Sequence, residues 1–284
     1  METNRTLNVG GRLVDLSAPV VMGIVNVTPD SFFSGSRNTT EEQVRRRVAE
    51  AVGEGAGMLD VGGYSSRPGA DDVTPEEEFG RIAVVMRIIR TSYSEMPVSI
   101  DTFRAAVVER TVGEFGAVIV NDISAGELDP EMIPAVARMK VPYIAMHMRG
   151  TPSTMQSLTE YEDGVTAEVV RYFSHKVDEL IQAGIDDIIL DPGFGFAKTV
   201  EQNFELLKNM SDLRILGRPV LAGVSRKTMI WKTLEIKPEE ALNGTTALHW
   251  ECLRQGAAIL RVHDVKQAVE VVRLYRAFES AGTR

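Results

Sequence analysis

The chain has 284 residues, 44% of them apolar, with 31 lysines and arginines against 40 aspartates and glutamates and a formal charge of −9. That balance argues against nucleic acid as a partner, because neutralising a phosphate backbone needs clustered positive charge. It leaves room for a small anion held by a few cations focused in a cleft. The apolar runs fall far short of a membrane span and the N-terminus lacks a leader pattern, so no membrane partner is expected and cytoplasmic residence follows by default. Cys252 is the single cysteine and can form no intrachain disulfide; its helical flanks mark it as a core thiol.

No Pro/Gly/Ser-rich linker divides the sequence, so residues 1–284 are expected to form a single domain, a size that α/β barrels commonly reach as one unit. Leu7 to Leu16, with Gly10-Gly11 at its centre, reads as a short N-terminal hairpin. Eight short apolar runs follow: Val20–Val27, Met58–Val61, Val98–Asp101, Val118–Ile123, Tyr143–Met148, Ile188–Asp191, Val220–Val224 and Ala258–Val262. Each is apolar nearly throughout, as a strand covered on both faces should be.

Helical patterns separate them. Thr39-Thr40 before Glu42 resembles an N-terminal cap, with Gly53, Gly55 and Gly57 closing that helix; Thr74-Pro75 before Glu76–Glu78 places proline and acids in a first turn. Further helices are expected over Arg104–Gly113, Pro130–Met139, Asp163–Ala183, Val200–Met210, Pro238–Arg254 and Val265–Phe278, and Arg45-Arg46-Arg47 reads as a solvated helix face. Eight alternations predict an α/β fold, a single (βα)8 TIM barrel, with a doubly wound open sheet as the competitor. Both arrangements put ligands at the C-terminal ends of the strands.

Those ends carry the polar residues. The eight runs finish in Asn26, Asp60, Asp101, Asn121-Asp122, His147, Asp191, Ser225-Arg226-Lys227, and Arg261 with His263. In a barrel they converge on one concave site. Asp101, Asp191 and Asn121 offer acceptors and donors to the edge of a heterocycle, while Arg67, Lys227, Arg261 and His263 form a cationic set able to hold a diphosphate. Asn26 could give an oxygen to Mg2+, which takes only one or two protein ligands when phosphates supply the rest. Two long loops, Thr28–Asn38 with Phe32-Phe33 and Gly62–Thr74 with Ser65-Ser66-Arg67-Pro68-Gly69, read as lids. Gly193 and Gly195, around Phe194 and Phe196, let backbone approach a flat ligand. His147 divides evenly between a structural and a site role, and His175 and His249 read as surface or packing residues.

With these residues in view the chain resembles the bacterial dihydropteroate synthase family over roughly Val20 to Phe278. The likeness rests on GIVNVTPDSF (23–32), LDVGGYSSRPGA (59–70), SIDT (99–102), VNDIS (120–124), DPGFGF (191–196), SRK (225–227) and RVHD (261–264). The resemblance implies Mg2+-assisted condensation of 6-hydroxymethyl-7,8-dihydropterin diphosphate with p-aminobenzoate, by a dissociative route, in a cytoplasmic homodimer joined through late helices. It implies that Asp101, Asn121, Asp191 and Lys227 hold the pterin edge with Arg261 stacked on the ring. Ser66, Arg67, Arg261 and His263 would contact diphosphate, with Asn26 on the metal. Phe32, Pro68, Phe196, Ser225 and Lys227 would enclose p-aminobenzoate, where sulfonamides compete in this family. The family usually has threonine where Ser66 stands; serine keeps the hydroxyl. Two other readings share the pterin-binding residues: a methyltetrahydrofolate-dependent methyltransferase, which needs no diphosphate clamp, and a non-catalytic pterin-binding barrel.

Overall fold

A computed structural model describes residues 5–27, 37–64 and 73–282. Two strands, β1 (Thr6–Val9) and β2 (Arg12–Asp15), pair antiparallel as the expected hairpin. The Asn8 side chain, accepting from the Gly11 amide at 2.7 Å, and the positive φ of Gly10 and Gly11 make the turn. Eight parallel strands follow: β3 (Val20–Asn26), β4 (Met58–Gly62), β5 (Val98–Asp101), β6 (Ile119–Asp122), β7 (Tyr143–Met146), β8 (Ile188–Asp191), β9 (Val220–Ala222) and β10 (Ala257–Val262). They close in sequence order, β10 pairing with both β3 and β9, so the chain is a closed (βα)8 barrel rather than an open sheet.

The helices between them are α1 (Arg37–Gly53), α2 (Pro75–Ser92), α3 (Ala105–Phe115), α4 (Met132–Met139), α5 (Val165–Gln182), α6 (Val200–Lys208), α7 (Thr228–Thr233), α8 (Leu242–Arg254) and α9 (Val265–Ser280). The start of α2 follows its sequence: Thr74 and Glu77 form a reciprocal capping box with Pro75 in the first turn. Three expectations need correction. Thr39 and Thr40 lie within α1 instead of preceding it. The segment expected as one helix from Pro238 is a 3-10 turn, Pro238–Glu240, followed by α8. The short α7 after Lys227 was not anticipated; six residues are too few for a periodic signal.

Apolar side chains inside the barrel occupy its lower half. Met22, Met58, Ile119, Ile144, Ile189, Leu221 and Ile259 are buried there, and Leu7, Val14 and Leu16 of the hairpin segment pack up against them as a floor. A second, larger core lies between the strands and the helices. Side chains alternate across a strand, so the next inward position toward the C-terminal end is two residues on. From Met58 that is Asp60, from Ile119 Asn121, from Ile189 Asp191 and from Ile259 Arg261. A single period of two therefore separates the apolar floor from a polar upper layer.

Candidate active site

Strand register sets the first part of the site. Asn26 lies opposite Gly62, Gly62 opposite Asp101 and Asp101 opposite Asn121, a row across four neighbouring strands. Gly62 leaves the gap in that row. A Cβ there would stand 2.8 Å from Asn26 Oδ1 and 3.5 Å from Asp101 Cβ, so only glycine lets the two side chains share the space. Asn26 Oδ1 is buried with no hydrogen-bond partner among the described residues. An orphaned carboxamide oxygen is the donor type a hard dication takes, so Asn26 suits Mg2+.

Arg261, on β10, reaches across the mouth. Its Nη2 lies 2.6 Å from Asp60 Oδ2 and 2.6 Å from Asp101 Oδ2, and its Nε donates to Asp60 Oδ2 at 2.7 Å. Asn121 Nδ2 donates to Asp60 Oδ1 at 3.2 Å, which fixes the amide so that its oxygen is the free end. The Arg261 fork engages two carboxylates, which leaves its planar face turned away from them. Burial pushes the Asp101 carboxyl up to about 7, with Arg261 opposing that rise and the Asp60, Glu78 and Asp122 carboxylates adding to it.

The loop after β8 completes the opposite wall. Asp191 Oδ1 accepts from the Gly193 amide at 2.8 Å, Gly195 N donates to Asn203 Oδ1 at 2.6 Å, and Phe196 N donates to Gly193 O at 3.1 Å. Gly193 has φ +70°, and a Cβ would fall 2.0 Å from His147 O, so no other residue fits this turn. Burial raises the Asp191 carboxyl against the pull of Lys227. Lys227 Nζ donates to Phe194 O and stands 4.6 Å from the centre of the Phe196 ring. Its ammonium is brought down to about 8 by burial, Asp191 opposing. Arg226, at φ +55°, aims the next residue inward while its own guanidinium forks onto Asp264 at 2.8 Å.

On the outer side, Ser225 Oγ and His263 Nδ1 are 3.0 Å apart, and the Ser225 hydroxyl also accepts from the His263 amide at 3.2 Å. Desolvation, then Arg261, Arg226 and Arg47, bring the His263 ring down to about 4. His263 thus stands on the rim with its ring held toward the neutral form and hydrogen-bonded to Ser225. Arg47, expected on a solvated face, donates to His263 O at 2.7 Å and Ile24 O at 3.3 Å, tying α1 to two strand ends; Arg45 and Arg46 pair with Glu41 and Glu50 on the surface.

Among the anticipated residues, Asn26, Asp101, Asn121, Asp191, Phe196, Ser225, Lys227, Arg261 and His263 all lie on this rim. Phe32, Ser66, Arg67 and Pro68 fall outside the described residues. The sequence reading placed Asp60 on the rim without its role and missed Lys198. Asp60 is fully buried and holds both Arg261 and Asn121. Lys198 is buried, with Nζ 3.0 Å from His147 Nδ1, from Gly193 O and from Phe196 O. His147 is thereby structural: its ring, in T-shaped contact with Tyr172 at 4.9 Å, is kept neutral by burial and by the Lys198 and Arg149 charges. His249 and Cys252 are buried, as packing residues should be, and His175 is exposed.

Comparison with known proteins agrees with this geometry. The family model described as "Pterin binding enzyme" matches residues 22–263. A dihydropteroate synthase of Escherichia coli strain K12 is 41% identical over 273 residues, spanning 95% of this chain and 95% of that protein. A solved Xanthomonas albilineans dihydropteroate synthase with 4-aminobenzoic acid superposes with TM-score 0.89 at 39% identity, covering 98% of this chain and 100% of that one. A structure of the same enzyme in complex with 7,8-dihydropteroate gives TM-score 0.86 at 37% identity, over 97% of this chain and 99% of that one. The carboxylates, amide and lysine gathered on one barrel rim thus have a lineage, and the chain belongs to the pterin binding enzyme family.

Proposed function

We infer that the chain is a transferase that makes 7,8-dihydropteroate from 6-hydroxymethyl-7,8-dihydropterin diphosphate and p-aminobenzoate. The observation that carries this reading is the convergence of Asp101, Asn121, Asp191 and Lys227 on one mouth beneath the open face of Arg261. Full-length relatives named for this reaction, and a structural neighbour holding its product, support it.

Asp101 Oδ1, the Asn121 carboxamide oxygen and Asp191 are acceptors for the N–H groups of a pterin edge, Lys227 is the donor among them, and the Arg261 plane covers the ring. The pterin methylene–oxygen bond breaks first, the electron pair leaving with diphosphate. The amine nitrogen of p-aminobenzoate then bonds to that carbon and releases its proton. Asp101 and Asp191 favour the cation between the two steps because negative charge in a desolvated mouth acts strongly on positive charge that develops there. A weak neutral amine needs this electrophile more than it needs a base. Mg2+, when bound through Asn26 and the substrate phosphates, would neutralise charge on the departing diphosphate. Ser66, Arg67, Arg261 and His263 are assigned to the same anion. Phe32, Pro68, Phe196 and Ser225 are assigned to the amine substrate.

A homodimer is part of this reading. Trp250 meets Tyr275 at 5.7 Å and Phe278 at 5.6 Å between ring centres, and Leu274 and Phe278 are 65% and 64% exposed beside them, an apolar face of α8 and α9 suited to a second copy. Cytoplasmic residence fits a lone cysteine kept as a buried thiol. The test is diphosphate release from the pterin substrate with Mg2+, with and without p-aminobenzoate. Release that depends on the amine supports the transferase; release without it points to hydrolysis, and pterin binding with no release to a silent barrel.

A further inference from the structure

The opposite end of the barrel carries a second chemically distinctive cleft. It has a volume of about 1040 Å3 and lies beside the N-terminal ends of β3, β9 and β10, lined by Pro19, Val220, Ala257 and Ala258 and by the ends of α8 and α9. Six arginines face it among the described residues, Arg5, Arg214, Arg218, Arg254, Arg273 and Arg276, against one carboxylate, Glu279. The chain as a whole has a formal charge of −9, so this concentration runs against its overall balance.

Elsewhere arginines are mostly matched: Arg104 with Glu78, Arg138 with Glu109, Arg149 with Glu168, Arg171 with Asp163 and Arg226 with Asp264. In the cleft, Arg254 pairs with Glu251 at 3.0 Å and Arg218 donates to Asp186 O at 2.7 Å. The side chains of Arg5, Arg214, Arg273 and Arg276 make no ion pair or hydrogen bond among the described residues. Arg214 lies along Gly256, whose φ of +92° leaves no Cβ in its path, and Arg214 and Arg254 both act electrostatically on the Tyr275 hydroxyl. These guanidiniums therefore gather around one aromatic edge over a floor of small apolar residues.

We propose that this cleft binds a small polyphosphate-bearing anion at a site separate from the catalytic rim. Guanidinium groups bind phosphate oxygens in pairs, and several unpaired ones in a concave wall focus the field on a compact ligand. The volume suits a small molecule of several phosphate groups. The site stands whether or not the transferase reading does, since it shares no residue with the rim; it borders the α8–α9 face assigned to a second copy, with Tyr275 between them.

The probe is inorganic tripolyphosphate, titrated calorimetrically into the full-length protein without Mg2+. Three proteins are compared: wild type, Arg67→Ala, which removes a cation assigned to the diphosphate at the rim, and Arg214→Gln/Arg273→Gln, which keeps the side-chain stems and removes two charges from the cleft. Binding should persist in Arg67→Ala, weaken at least about tenfold in the double variant, and fall with added salt. The double variant should retain amine-dependent turnover in the absence of the anion. No heat with wild type, equal affinity in the double variant, or complete loss in Arg67→Ala would each overturn the proposal, the last by returning the binding to the rim.

Discussion

Arg261 is one positive charge facing two carboxylates, Asp60 and Asp101, and that imbalance sets the pH behaviour of the site. The productive state needs Asp101 ionised, with a value of about 7, and Lys227 protonated, with a value of about 8. We expect kcat/KM to rise through the first value and fall through the second, a narrow bell that a pH series on the free enzyme reads directly. Stability runs the other way. The folded value of Asp101 lies above its usual 3.8, so its contribution is complete below that pH and lost as pH rises through about 7. Lys227, held below its usual 10.5, contributes above that pH and loses its share as pH falls through about 8. Between the two limits the mouth is charged for function at the expense of stability. Asp101, Asn121, Asp191 and Lys227 were legible because polar residues ending buried strands are conspicuous. The role of Asp60 was not, since its bond to Arg261 joins residues 201 apart and only barrel closure brings them together.

At the scale of elements, the loop from Asp191 to Thr199 is a small machine for orientation. Lys198 ties the Gly193 and Phe196 carbonyls to the His147 ring, and the same loop presents Phe194 O to Lys227. Replacing Lys198 by methionine leaves the His147 Nδ1 and the Phe196 carbonyl unpaired, while Gly193 O keeps the Phe196 amide; each lost partner costs about 1–3 kcal/mol. We expect Lys198→Met to lower the melting temperature and to cut kcat on the order of 100-fold, the usual consequence of a misplaced catalytic group. Steady-state kinetics beside thermal denaturation checks both; wild-type turnover in a destabilised protein would show the loop to be scaffolding alone. In the sequence Lys198 was one lysine after a glycine-rich motif, with nothing to separate it from a surface residue. The α2 start was legible because its cap is local, whereas α7, which is short, takes its form from its surroundings.

Over the whole molecule, an apolar floor and a polar rim stand one strand period apart; the sequence showed the rim as polar residues ending apolar runs, and barrel closure reveals the floor beneath it. What the pattern could not supply was the role of the hairpin as a plug: Leu7 is fully buried against the floor residues, far along the strands from the mouth. Leu7→Ala should cost roughly 2–5 kcal/mol in stability and leave kcat unchanged, as denaturant unfolding and kinetics at permissive temperature would show. The account depends most on the rim as the seat of pterin binding. Calorimetric titration of 6-hydroxymethyl-7,8-dihydropterin into wild type and Asp101→Asn tests that claim most directly. The exchange of an acceptor for a donor should weaken binding at least about tenfold, and equal affinity in the two proteins would contradict it.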